Sequence, residues 1–226
     1  MRIAIKQEYK KFVDLLDFSR GKYSIGQVFE DFLYMSAIAL KNSCDFDKNE
    51  EDWYFSIIKK YEKKELEVFP KLLAELVLIV VKNDKFTDAL GEIYQAINLN
   101  SKGSGQFFTP NHLAEAMAKM IIDKPSNTDG VITVNDPACG SGVLLLNAAN
   151  SFKDENIDYS KKLLVYGQDI DIRCFCMTYI QLSLAGIPGI VVLGNTLLDE
   201  KRKIYYTPQY IKNYLEKKNK NTKLEE

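Results

Sequence analysis

The chain has 226 residues, 46% hydrophobic and 27% charged, with a formal net charge of −1. This is the balance of an ordinary folded protein, with room for one large domain or two small ones, and it excludes a chain that is disordered or basic throughout. Met1 to Lys11 is charged and lacks a signal-peptide pattern. The strongest apolar run, Leu72 to Val81, carries Glu75 and is too short to span a bilayer, so no membrane partner is expected and the protein is read as cytoplasmic. The cysteines Cys44, Cys139, Cys174 and Cys176 form no Cys-x-x-Cys pair, and His112 is the single histidine. No metal site is expected, and a reduced compartment suits this usage.

In chain order, Ser24 and Gln27 have the spacing of a capping box. Val28, Phe29, Phe32, Ser36 and Ala39 follow at helical period, which predicts an amphipathic helix. Asn42 to Asp52 is polar and acidic and reads as a loop, and Trp53 to Leu66 reads as a helix. Pro70 suits the first turn of a buried helix carrying Leu72 to Val81, and Asp88 to Leu99 adds a further helix. Residues 1–100 therefore form a helical N-terminal region, and Asn100 to Gly105 is the expected hinge.

From 101 to 200 the pattern changes to strands alternating with helices. Thr109 is expected to cap a helix that Pro110 opens and that runs from Asn111 to Ile122, followed by a loop, Lys124 to Gly130. Strands are predicted at Val131 to Val134, at Leu163 to Tyr166 with its end near Asp169, and at Ile190 to Leu193. The helices between them run to about Ser151 and from about Asp171 to Ala185, and Lys153 to Ser160 is read as a loop. This β-α-β-α-β order implies parallel strands joined by right-handed crossovers. The tail, residues 201–226, carries a net charge of +5. A short β-like run, Ile204 to Tyr206, precedes a helix started by Thr207 and Pro208. Its charge reads first as a solvated helix face, with phosphate contact as the second reading.

The candidate ligand loop is Asp136-Pro137-Ala138-Cys139-Gly140-Ser141-Gly142, which leaves a strand and opens a helix. That is where a doubly wound sheet holds a nucleotide-like ligand. Gly140 and Gly142 allow close backbone approach, and a helix N-terminus can face an anionic group. Asp136 can pair with an ammonium or hydroxyl group. Asp169, at the expected end of the second strand, suits a ribose, with a helix N-cap as its competing role. The incomplete Gly-x-Gly-x-x-Gly pattern fits a nucleotide-dependent dehydrogenase poorly.

Taken with Asp88-Ala89-Leu90-Gly91-Glu92-Ile93-Tyr94, Gly105-Gln106-Phe107-Phe108-Thr109-Pro110, Gly167-Gln168-Asp169-Ile170-Asp171 and Gly194-Asn195-Thr196-Leu197, the chain resembles the modification subunits of type I restriction–modification systems. These are adenine-N6 DNA methyltransferases that use S-adenosylmethionine. The resemblance implies an α/β fold, a Rossmann-like methyltransferase sheet that is incomplete, with about three to four parallel strands, preceded by an α-helical region. It also implies S-adenosylmethionine as cofactor and DNA as partner. Phe107, Phe108 and Thr109 would lie over the methionine part, with Asp136, Pro137, Ala138, Gly140, Ser141 and Gly142 forming the cofactor loop. Asp169 would take the ribose, Ile170 would cover the adenine and Asn195 would meet its edge.

Two departures bear on activity. The family usually has an acid where this chain has Asn195, and the resemblance implies that the asparagine carbonyl oxygen accepts from the adenine amino group in its place. The family's catalytic Asn-Pro-Pro-Tyr or Asn-Pro-Pro-Phe is not present, and its nearest counterpart, Thr207-Pro208-Gln209-Tyr210, reads as a helix start. Catalytic residues are therefore left unassigned. The expected function is cofactor binding within this methyltransferase family, with methyl transfer not performed by this chain alone and a protein partner supplying the missing parts. The alternative is an inactive binding or regulatory module that serves a restriction–modification or DNA-processing partner.

Overall fold

The computed structural model describes residues 5–98, 109–122 and 130–222. The expected hinge at Asn100 to Gly105 and nearly all of the loop at Lys124 to Gly130 lie outside the described residues.

The helical half begins with α1 (Lys10–Leu16) and α2 (Ile25–Asn42). The capping box at Ser24 forms in both directions: the Gln27 N–H donates to Ser24 Oγ at 3.2 Å, and Gln27 Oε1 accepts from the Ser24 N–H at 3.1 Å. Helix α2 buries Val28, Phe29, Phe32 and Ser36 together with Leu33, Ala37 and Ile38, while Ala39 turns outward. Helix α3 (Lys48–Ile58) starts inside the stretch expected to be a loop. Asp47 caps it by accepting from the Asn49 N–H, and Glu50 and Glu51 sit in the first turn, where the helix dipole favours acids. The acidic run is thus a helix start rather than a linker.

The helix expected over Trp53 to Leu66 is two elements, because Glu62 and Glu65 cap a separate turn, α4 (Lys63–Leu66). Helix α5 (Val68–Lys82) holds Pro70 in its first turn and buries Phe69, Leu72, Leu76 and Ile79. Leu78 and Val81 are exposed, so this helix is buried along one stripe and not all round. Helix α6 (Ala89–Asn98) closes the half.

The second half opens with α7 (Asn111–Ile121). Pro110, not Thr109, is its N-cap, since the Pro110 carbonyl accepts from the Leu113 and Ala114 N–H groups at 3.0 and 3.1 Å. Thr109 lies one residue too early to cap. Strand β1 (Ile132–Asp136), α8 (Val143–Asp154), a short helix α9 (Tyr159–Lys162) capped by Asp158, β2 (Leu163–Asp169), α10 (Ile172–Leu184) and β3 (Gly189–Leu193) follow. Helix α9 occupies part of the predicted Lys153 to Ser160 loop. Strands β1, β2 and β3 are parallel, with Val134 opposite Val165 and Val165 opposite Gly189.

Strand β4 (Lys203–Tyr206) departs from the parallel reading. It runs antiparallel to β3, with Val191 opposite Tyr205. The Gly194 to Arg202 connection is shorter than the dozen or so residues a parallel crossover needs. The chain therefore turns back directly, with the Arg202 N–H donating to the Leu193 carbonyl. Helix α11 (Pro208–Thr222) ends the described chain.

Among the described residues the sheet order is β1-β2-β3-β4. Helices α8 and α10 cover one face, where Val134, Leu163, Val165, Val191 and Tyr205 are buried. On the other face Thr133 and Asn135 are exposed, and Leu164, Tyr166 and Ile190 are half-buried. One continuous apolar core runs from Tyr9 and Phe12 through Phe29 and Leu90 to Phe175 and Tyr205, joining the two halves. Arg173 of α10 adds a polar tie by forking onto Asp171 and reaching Glu30 of α2 at 3.4 Å. Among the described residues no helix is long and apolar enough to cross a membrane.

Candidate functional site

The turn between β1 and α8 depends on two glycines. Gly140 has φ 55° and Gly142 has φ 93°, both in the left-handed region that other residues rarely adopt. Gly142 is the N-cap of α8, and a Cβ there would meet Thr178 Oγ1 at 3.0 Å. Side chains from neighbouring elements hold the turn. Asp136 Oδ1 accepts from the Ala138 N–H at 3.2 Å, Asp169 Oδ2 accepts from the Gly140 N–H at 2.9 Å, and Thr178 Oγ1 donates to the Gly140 carbonyl at 2.9 Å. The Gly142 N–H donates to the Cys139 carbonyl at 2.8 Å. Both glycine amides are therefore engaged, and the donors left for an anionic ligand group are the first-turn amides of α8.

Asp136 ends β1 and Asp169 ends β2, side by side at the carboxyl edge of the sheet. The helix-cap role considered for Asp169 belongs to Asp171, which accepts from the Arg173 N–H at 2.8 Å. Asp169 Oδ1 instead accepts from the Asp171 N–H at 2.9 Å. Burial raises the pKa of both Asp136 and Asp169 from the ordinary aspartate value, and backbone N–H donors offset part of the rise. The charge of Asp169 adds to the rise at Asp136, and that of Asp171 to the rise at Asp169. Among the described residues neither carboxylate has a cation within ion-pair distance.

A cavity of about 180 Å³ opens beside the turn, with Thr109, Met117, Asp136, Ala138, Gly140 and Leu144 in its wall. Thr109, Asp136, Ala138 and Gly140 thus share one wall. Pro137, Ser141, Gly142, Asp169, Ile170 and Asn195 are not in that wall. Ile170 is 58% exposed beyond Asp169. Asn195 Oδ1 accepts from the Leu197 N–H at 3.0 Å, so its carbonyl oxygen is engaged in capping a short turn. Thr196 Oγ1 donates to the Pro137 carbonyl at 2.6 Å and ties that turn to the glycine loop. Ser141 is fully buried and its hydroxyl faces Asp88, away from the cavity, so only its backbone lies with the other loop residues. Phe107 and Phe108 lie outside the described residues.

Three supporting residues were not singled out as site residues from the sequence: Asp88, Thr178 and Gln181. A usable signal exists for two of them, since Thr178 and Gln181 stand three apart on one face of the mostly apolar helix α10. Both are buried and both bond to the glycine turn.

The tetrapeptide Thr207-Pro208-Gln209-Tyr210 is placed away from this site. Thr207 Oγ1 accepts from the Gly189 N–H at 2.9 Å and donates to the Ile187 carbonyl at 2.8 Å, at the start of β3, the sheet edge opposite Asp136 and Asp169. It starts α11, as the sequence predicts.

A family model described as N-6 DNA Methylase matches residues 82–223. The type I restriction enzyme MjaIX methylase subunit of Methanocaldococcus jannaschii is 30% identical over 125 residues, 53% of this chain and 21% of that protein. The MpnII methylase subunit of Mycoplasma pneumoniae is 30% identical over 105 residues, 44% of this chain and 18% of that protein. The match thus spans about a fifth of the length of these two curated relatives. Among solved structures, the type I restriction-modification system methyltransferase subunit from Streptococcus thermophilus aligns with 87% of this chain and 59% of its own, at 14% identity and a TM-score of 0.44.

Proposed function

The chain belongs to the N-6 DNA methylase family, and on that premise we propose that it binds S-adenosylmethionine at the glycine turn and serves an assembly that methylates adenine N6 in DNA. The observation that carries this reading is the pair of half-buried carboxylates, Asp136 and Asp169, converging on a left-handed glycine turn without a cation among the described residues. A ligand with an ammonium group, a sulfonium and two ribose hydroxyls meets that arrangement: the cations offset the carboxylates and the hydroxyls fill their free lone pairs.

In this reading Asp136 receives the ammonium and the first-turn amides of α8 receive the ligand's carboxylate. Asp169 accepts the ribose hydroxyls while holding Gly140, and the Thr109 hydroxyl reaches the methionine part. Ile170 covers one adenine face. Asn195, its carbonyl already engaged, offers its amide N–H groups to a ring nitrogen. Phe107 and Phe108 are assigned to the methionine side by resemblance alone. When bound, the cofactor supplies an electrophilic methyl group on sulfur; these residues bind it and orient it. The cytoplasm, DNA and a protein partner follow as the setting.

Calorimetry is expected to show binding near the micromolar range, and absence of heat would sink the cofactor reading. The pH dependence has a defined sign. Because both carboxylates bind protons more tightly in the folded chain, their contribution to folding stability is present at low pH and is lost as pH rises through the raised values. Affinity for the cationic ligand moves the other way, because only the ionised carboxylates attract it. Binding is therefore expected to be tighter at about pH 7.5 than at about pH 4, within the ordinary carboxylate range. Equal affinity at both would argue against Asp136 and Asp169 as the partners of the cation.

Methyl transfer needs hydrogen-bond acceptors on the target amino group and a stacking ring, the work of the family's Asn-Pro-Pro-Tyr or Asn-Pro-Pro-Phe. The place of Thr207 at the opposite sheet edge supports the view that these groups come from outside residues 1–226. The purified chain is expected to leave DNA unlabelled by a tritiated methyl donor. Clear labelling of adenine would overturn that division of labour.

A further inference from the structure

We propose that Asp88 is a positioning residue for the glycine turn, through which the helical half sets the ligand-facing backbone; this rests on the cofactor reading above. Asp88 precedes α6 and is 3% exposed, well away from the cavity wall. Three donors from three elements converge on its carboxylate. Ser141 Oγ of the turn donates at 2.5 Å, Gln181 Nε2 of α10 at 2.9 Å and the Gly91 N–H of α6 at 3.0 Å. Gln181 closes the network: its Nε2 also donates to the Ser141 carbonyl at 2.8 Å, and its Oε1 accepts from the Leu90 N–H at 3.0 Å. Asn150 of α8 pins the same segment two residues earlier, exchanging two hydrogen bonds with the Phe86 backbone.

A buried carboxylate is a weak source of stability, because its desolvation offsets most of what its bonds return. What this one supplies is geometry. Asp169 and Thr178 hold the Gly140 peptide from within the α/β half. Asp88 holds Ser141 from the helical side, so the turn is fixed on both flanks of Gly140. Burial raises the Asp88 pKa while its three donors lower it, which is consistent with a group held for its contacts. The segment Asp88 to Tyr94 thus acquires a role in the site although none of its side chains lines the cavity.

The test compares wild type, Ser141→Ala and Asp88→Asn by hydrogen–deuterium exchange without ligand and by calorimetry with S-adenosylmethionine well below the melting temperature. Ser141→Ala removes the one hydroxyl that joins Asp88 to the turn and leaves Asp88 its other two donors. Exchange across residues 138–144 is expected to rise about tenfold and affinity to fall about tenfold, the scale of one lost buried hydrogen bond. Exchange in α3 should not change. Asp88→Asn keeps an acceptor for Gln181 and Gly91 and a polar partner for Ser141, and should fall between the two. Unchanged exchange at the turn and unchanged affinity in Ser141→Ala would overturn the proposal. If wild type itself bound no S-adenosylmethionine the cofactor reading would fail, and the exchange comparison would still decide whether Asp88 positions the turn.

Discussion

Asp169→Ala is expected to abolish measurable S-adenosylmethionine binding, a loss of about 100-fold or more by calorimetry. Two effects add. The carboxylate is the acceptor for the Gly140 N–H at 2.9 Å and the Asp171 N–H at 2.9 Å, so its removal strands donors on both sides of the site. It also removes the charged acceptor proposed for the ribose hydroxyls. An unsatisfied buried donor and a lost charge-assisted bond are each worth about 1–3 kcal/mol, and about 2.7 kcal/mol together is already 100-fold. Asp169→Asn keeps one acceptor oxygen and loses the charge, and should show an intermediate loss of about tenfold. Affinity within threefold of wild type in Asp169→Ala would remove Asp169 from the site.

Gly91→Ala should give a large loss of stability from a single added methyl group. A Cβ at Gly91 would run into the Asp88 carboxylate and the Ser141 hydroxyl, the two partners of a buried hydrogen bond. Neither can step aside without breaking that bond, since Asp88 is also held by Gln181 and by the Gly91 N–H itself. Overpacking of this kind costs about 3 kcal/mol, which for a chain of this size lowers the melting temperature by about 6–12 °C. Gly130→Ala is the control, because a Cβ there meets nothing within 4 Å. Thermal unfolding followed by circular dichroism checks both, and equal melting temperatures for the two variants would contradict the packing described around Asp88.

Where a local rule decided the structure, it could be read in the residues. The Ser24–Gln27 capping box, the Thr207-Pro208 helix start and the ending of the second strand at Asp169 depend on neighbours in sequence, and the structure has each of them, whereas the first strand, expected to stop at Val134, runs on to Asp136. Where two local rules compete, the outcome was less legible. Polarity argued for a loop over Asn42 to Asp52, yet Asp47 as cap and two glutamates in the first turn make a helix start. At Thr109-Pro110 the proline carbonyl takes the first helical bonds, which moves the cap by one residue. The direction of β4 follows from the length of the connection before it, which a β-like run does not disclose. In the site, the glycine turn and its two carboxylates were visible as a motif. The inward turn of Ser141 was not, because its partner Asp88 lies 53 residues upstream and only tertiary packing brings them together. Nor was the engagement of the Asn195 carbonyl, which a two-residue backbone contact sets.

The anchoring of Thr207 at the start of β3 has an electrostatic consequence. Strand β3 separates that anchor from the edge where Gly194 hydrogen-bonds the Asp169 carbonyl. At roughly 3.3 Å per residue the span is about 15 Å, close to twice the screening length of about 8 Å in physiological salt. The field of the α11 lysines therefore fades before it reaches the acidic pair, whereas Arg202, whose guanidinium donates to the Ile170 carbonyl at 3.1 Å, stands at the acidic edge. Charge on α11 can therefore change without retuning the pocket, while a change at Arg202 reaches it directly.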